Sequence, residues 1–159
     1  MRSRELFRKL KEMAKDFNIQ DLINVRIFLE EDMKYLPEEY REHYLRNQIM
    51  YFINTLKEIK KKKVEDIEDY PIDEKKLKDL FKRIENFKRG VKGEDSFIKL
   101  SKIVVPYLIF MERKPLHPLG TRFPGGKGIV RRGNEYYCPA KSKQRNEYSL
   151  CEFCVCKGL

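Results

Sequence analysis

A chain of 159 residues is the size of one ordinary domain and can bury a core without a metal to hold it together. Hydrophobic residues make up 41%, enough for a globular protein, and charged residues 38%, against roughly 25% in an average domain. No stretch approaches the roughly twenty apolar residues that cross a bilayer, and the amphipathic start MRSRELFRKLKEM lacks the apolar run of a signal peptide, so no membrane partner is expected and a cytoplasmic location is.

The first two thirds read as helices. Ser3 is placed to cap a helix whose Leu6, Leu10, Met13, Ala14 and Phe17 share one face. Asn18 and Asp21 punctuate the chain, and Leu22, Val25, Phe28, Leu29 and Leu36 mark a second helix. Pro37 followed by Glu38 and Glu39 suits a helix first turn, and the third helix runs to the basic Lys60–Lys63 end. After the acidic connector VEDIEDYP, Asp73 caps a fourth helix carrying Leu77, Leu80, Phe81, Ile84 and Phe87, which Gly90 and Gly93 end. Asp95 or Ser96 starts a fifth segment through Phe110, read as a buried helix kinked by Pro106, with a strand as the alternative.

At Arg113 the texture changes: four of the seven prolines and six of the eight glycines lie beyond it. Lys127 to Tyr137 reads as a β-hairpin, with Ile129 and Val130 pairing toward Tyr136 and Tyr137 around Gly133-Asn134. The expected fold is therefore mainly α. A helical bundle over 1–112 is followed by a Pro/Gly-rich loop, β-hairpin and cysteine-rich metal-binding module over 113–159, packed as one unit.

The charge is uneven. Of a formal net charge of +10, residues 113–159 hold +7, from ten Lys/Arg and three Asp/Glu. Arg122, Lys127, Arg131, Arg132, Lys141, Lys143 and Arg145 are the candidate contacts to a nucleic acid, with Tyr136 and Tyr137 as base-stacking platforms among them. A solvated basic surface, partly offset by metal-bound thiolates, is the plainer account.

All four cysteines fall in the last twenty-two residues, as Cys138-x12-Cys151-x2-Cys154-x-Cys156. Reduced cytoplasmic thiols are ligands or catalysts more often than disulfides. A Cys-x2-Cys turn turns two sulfurs to one side, and zinc takes four soft or borderline ligands in a tetrahedron. Cys138, Cys151 and Cys154 supply three, and Cys156 or His117 the fourth. An iron–sulfur cluster also accepts four cysteines. Free thiols are a further alternative, and a thioredoxin-like dithiol lacks its βαβ context. His117, in the loop feeding these residues, reads equally as a ligand or as a histidine bonded to loop backbone. Phe-Pro-Gly-Gly-Lys-Gly lacks the ending of a P-loop and reads as a tight turn ahead of the hairpin.

The motifs HPLGTRFPGG, YYCP and CEFC, within residues 114–154, resemble an uncharacterised archaeal family found largely in methanogens and catalogued as a domain of unknown function. The resemblance spans essentially the whole chain. It implies an archaeal, anaerobic cytoplasm and supplies no activity. Its matching positions are His117, Cys138, Cys151 and Cys154, which makes Cys156 an extra thiol and favours His117 as fourth ligand. Three functions follow as expectations: a zinc-stabilised module contacting nucleic acid or a protein partner, a metal-dependent enzyme with an open coordination position near His117, and an iron–sulfur or redox protein.

Overall fold

The computed structural model describes residues 1–123, 127–141 and 149–158. The chain is mainly helical, with a small three-stranded sheet near its C-terminus. Helices α1 (Ser3–Lys15), α2 (Ile19–Asp32), α3 (Glu38–Lys61), α4 (Glu74–Glu85) and α5 (Glu94–Pro106) surround one apolar core. No helix among the described residues is long and apolar enough to cross a membrane.

Helix α1 buries Leu6, Phe7, Leu10 and Ala14, the i, i+4 and i+3 partners expected of one helical face. Ser3 is not its cap. Arg2 holds that position, and Ser3 is fully buried, its hydroxyl donating to Glu68 O at 2.6 Å and accepting from Tyr70 N at 3.0 Å. The backbone joins in, Ser3 N donating to Tyr70 O at 2.8 Å and Ile72 N to Met1 O at 2.9 Å. Lys11 Nζ donates to the carbonyls of Ile59 (3.1 Å), Lys60 (3.1 Å) and Lys62 (2.5 Å), placing a cation on the negative end of α3.

Asn18 opens α2 through a capping box. Its side chain accepts from Asp21 N at 3.0 Å, and Asp21 returns the bond from Asn18 N at 3.0 Å. Asp73 caps α4 by accepting from Lys76 N at 3.0 Å. Gly90 and Gly93 do not end that helix, which stops at Asn86. Gly93 instead caps the start of α5 at φ +85°, and a Cβ there would sit 2.1 Å from Asn24 O of α2. The backbone of α2 can approach α5 only because this residue has no side chain. Helix α5 accordingly begins at Glu94, one residue before the sequence expectation, and the Glu94 carboxylate collects the N–H groups of Arg89, Gly90 and Val91 at 2.7–3.0 Å.

Beyond Pro106 the fifth segment stays helical but is wound more widely, as a π-helical turn over Tyr107–Glu112. Proline has no N–H and crowds the carbonyl four residues back, so the change of winding falls where α-helical bonding is blocked. Arg113 stops it at φ +53°, and Lys114 N closes back onto Leu108 O at 2.9 Å.

Strands β1 (Val130–Arg132) and β2 (Glu135–Cys138) form the expected hairpin, with Val130 opposite Tyr137 and Arg131 opposite Tyr136. A third strand, β3 (Lys157–Gly158), was not expected. It lies parallel to β2, Tyr137 against Lys157 and Cys138 against Gly158.

Candidate metal centre and adjoining cavity

Three helix residues hold the C-terminal segment against the bundle. Tyr51 OH donates to Pro115 O at 2.5 Å, and Gln48 Nε2 to Leu116 O at 3.0 Å. Arg83 of α4 donates to Ser149 O at 2.9 Å, pairs with Glu152, and sets its guanidinium 5.4 Å from the Phe153 ring centre. Leu116 and Phe153 thereby enter the bundle core.

The hairpin and β3 determine where the cysteines stand. Cys138 ends β2 opposite Gly158, and Cys156 directly precedes β3, two positions back from Gly158, so the parallel register puts the two cysteines on one face of the sheet. Both are buried, with Ile129, in a small second core that Cys154 packs against. Cys151 and Cys154 bracket a short 3-10 turn, Cys154 N donating to Cys151 O at 3.2 Å. The Lys141 ammonium ties this turn to the hairpin, donating to Cys154 O at 2.7 Å and to Cys151 O.

Backbone amides aim at two of the sulfurs. Burial pushes the Cys138 thiol up, and the nearby N–H groups of Ala140 and Lys141 oppose it only in part. The neighbouring Cys156 thiol lowers Cys154 against the opposing effect of burial, and the nearby N–H groups of Cys156 and Leu116 add to the lowering. Cys154 in turn pushes Cys156 up, and burial adds to this. The net direction is toward the thiol at Cys138 and toward the thiolate, the form that binds metals, at Cys154. All four cysteines and His117 line one cavity of about 620 Å³ between this segment and the bundle. Among the described residues, no three His, Cys, Asp or Glu side chains already stand together as a cage for one ion.

His117 is held by α3. Its Nδ1 lies 2.6 Å from Gln48 Oε1 and 3.4 Å from Tyr44 OH. Because Gln48 Nε2 is committed to Leu116 O, Oε1 faces the imidazole as an acceptor. That assigns the proton to Nδ1 and leaves the Nε2 lone pair without a partner among the described residues. Burial lowers the His117 pKa to about 4, so the ring is neutral at physiological pH. Tyr44 and Phe123 flank it, with ring centres 5.4 and 5.7 Å away. A neutral imidazole oriented through one nitrogen by a buried amide is the usual state of a metal-binding histidine.

The basic residues divide. Arg122, Lys127, Arg131 and Arg132 are exposed, while Lys143 and Arg145 lie outside the described residues. Arg131 and Arg132 sit over Tyr136 and Tyr137, at 5.8 and 5.3 Å from the ring centres. Gly128 explains the turn before the hairpin, since a Cβ there would meet Thr121 O at 2.8 Å. Pro124–Gly126 of the glycine segment fall outside the described residues.

Two site residues escaped the sequence reading. Gln48 and Ser101, 4% and 1% exposed, both line the cavity. The available signal was a polar residue on an otherwise apolar helical face: Gln48 between Tyr44 and Phe52, Ser101 between Phe97 and Val105, each four residues apart.

Comparison with known proteins gives the chain its relatives. The family described as "Uncharacterized protein conserved in archaea (DUF2115)" matches residues 2–159. UPF0305 protein MJ0646 of Methanocaldococcus jannaschii is 51% identical, over all of this chain and 98% of that protein. UPF0305 protein MmarC7_1691 of Methanococcus maripaludis is 49% identical over the same shares. A UPF0305 protein of Methanothermobacter thermautotrophicus is 34% identical over 98% of this chain and 95% of its own length. No solved structure matches significantly. A family match over nearly every residue, and relatives aligned along almost their full length, place the chain in the archaeal DUF2115 family.

Proposed function

We propose that residues 113–158 form a zinc-stabilised binding module seated on the helical bundle, with Cys138, Cys151 and Cys154 as ligands and His117 or Cys156 as the fourth. The observation that carries this reading is the placement of all four cysteines and His117 on the lining of one cavity. A segment whose own apolar core, among the described residues, is Ile129, Cys138 and Cys156 gains most of its order from an ion. The three thiolates and the Nε2 of His117 would hold the ion, which would supply cross-links the segment's few apolar residues cannot. With His117 as fourth ligand, Cys156 would stay a thiol, the form toward which its pKa is shifted.

The bound module presents the hairpin, on which exposed Arg131 and Arg132 lie over Tyr136 and Tyr137. Basic groups beside aromatic faces suit a single-stranded nucleic acid. The test is metal analysis and a visible spectrum of protein purified without air, followed by RNA and DNA binding across a salt series. About one zinc per chain in a colourless protein is the expected result. A metal-free chain of undiminished stability overturns the zinc reading, and iron with sulfide replaces it by an iron–sulfur cluster. Binding absent at low salt, or unchanged by Arg131→Ala with Arg132→Ala, overturns the nucleic-acid part.

The Nε2 of His117, without a partner among the described residues and beside a cavity, favours a second reading, a metal-dependent enzyme in which three cysteines hold zinc and the fourth position takes water or substrate. Spectroscopy on a cobalt-substituted sample separates the two, because a complete protein ligand shell leaves no exchangeable water.

A further inference from the structure

The four cysteines differ in their surroundings. Cys138 and Cys156 are 6% and 3% exposed, buried with Ile129 in the small second core. Cys154 packs against that core and is only partly buried. Cys151 is also partly buried, but it is not among the described members of the core.

One pair of thiols stands together. The Cys156 thiol acts on Cys154 more strongly than any other group does, and Cys154 does the same to Cys156. Cys138 reaches Cys156 only through charge, and Cys151 is not among the groups that chiefly act on Cys154. The backbone accounts for the closeness. Residues two apart in an extended strand face the same side, with Cα atoms about 6.6 Å apart. That is close to the outer limit of about 6.8 Å across a disulfide. The chain bends at Cys154 and Val155 before β3 begins, which shortens the span. The Lys141 ammonium, donating to Cys154 O at 2.7 Å, ties this bend to the hairpin and holds the pair in place.

We propose that Cys154 and Cys156 are a redox pair, which a low-molecular-weight disulfide, RSSR, converts into an intramolecular disulfide. The partly exposed Cys154 sulfur attacks one sulfur of RSSR, forming a mixed disulfide and releasing RS⁻. Cys156, buried behind it, attacks the Cys154 sulfur from within, loses its proton and releases the second RS⁻. The two cysteines give up two electrons and two protons, and RSSR becomes two RSH. The consequence for the metal rests on the zinc reading above. Whether His117 or Cys156 completes the shell, the disulfide takes Cys154 out of it, so oxidation releases the ion and reduction restores the site.

The test treats the natively metallated full chain, purified without air, with glutathione disulfide. Remaining thiols are alkylated under denaturing conditions, and the chain is cut after glutamate. Cleavage after Glu152 leaves residues 153–159 as one peptide that carries Cys154 and Cys156 and is separated from Cys151. That peptide is expected unalkylated and lighter by two hydrogens, with about one zinc passing to a chromogenic chelator per disulfide formed. Cys151→Ser still forms the disulfide, whereas Cys156→Ser stops at a glutathione mixed disulfide on Cys154. A Cys151–Cys154 cross-link, thiols that all remain open to alkylation, or a mixed disulfide that persists in the unaltered chain overturns the redox pair. A disulfide formed with zinc retained overturns its control of the metal. Protein that holds no zinc at the outset refutes the zinc reading alone, and the peptide map still decides the pair. Should a variant fail to fold, the map of the unaltered chain decides.

Discussion

Replacing Gln48 by leucine tests how the bundle holds the C-terminal segment. Gln48 is 4% exposed, and its amide makes two bonds to that segment, to Leu116 O at 3.0 Å and to His117 Nδ1 at 2.6 Å. Leucine fits the volume but offers neither partner. The Leu116 carbonyl is then left unpaired where water reaches it poorly, at about 1–3 kcal/mol, while the His117 N–H keeps only the longer contact to Tyr44 OH at 3.4 Å. The added apolar burial offsets part of the cost, leaving a net loss of about 1–3 kcal/mol. For a domain of this size that lowers the melting temperature by about 3–10 °C. Urea and thermal unfolding by far-UV circular dichroism measure it, with Met50→Leu at an exposed position of the same helix as the control. A loss below about 1 kcal/mol would refute the reasoning, because the two bonds would then be replaceable by solvent.

Three further outcomes are expected. Gly93→Ala forces an L side chain to φ +85° and a methyl to 2.1 Å from Asn24 O, so α2 and α5 must part, at about 2–5 kcal/mol from the left-handed strain and the overpacking together; denaturant midpoints would show it. Burial of the Asp21 carboxyl opposes its ionisation, but hydrogen bonds from Lys99, Asn18 N–H and Ser96 outweigh burial and hold its pKa below the usual 3.8. The stability it contributes is therefore present above that value and lost as pH falls through the folded value; Asp21→Asn should narrow the difference in urea midpoint between neutral and strongly acid solution, and an unchanged difference would discount the carboxylate. Removing the proposed metal with a strong chelator should spare the helical signal of α1–α5 while exposing Lys141 and Lys157 to trypsin; equal protection with and without chelator would mean the tail orders itself.

The helices were largely legible because each announces itself locally. Asn18 with Asp21, Pro37 with two glutamates, and Asp73 are short-range signals, and the structure uses all three. Ser3 carried the same type of signal but is consumed by Glu68 and Tyr70, more than sixty residues away, a competition no local pattern records. Gly93 was misassigned for a related reason. Its need for a bare Cα comes from Asn24 on another helix, not from the helix before it. The hairpin was readable from Gly133-Asn134, whereas β3 is two residues long and pairs in parallel across an intervening loop. At the candidate site the cysteines and His117 were visible as residue types. Gln48, which orients the histidine, was hidden inside a helix whose neighbouring positions are apolar.

The clasp around α1 bears on how the chain folds. A helix of 13 residues is marginal in water on its own, and the polar anchors that fix this one, through Ser3, Arg4 and Lys11, reach 48 to 67 residues along the chain. Closing so long a loop costs entropy before any of those bonds repays it. Helix α1 and the connector of residues 65–72 thus have little reason to settle separately. The first helix to be made is secured only when α3 and the connector have come round to meet it, which raises the share of non-local contacts and slows folding relative to a bundle of neighbouring hairpins.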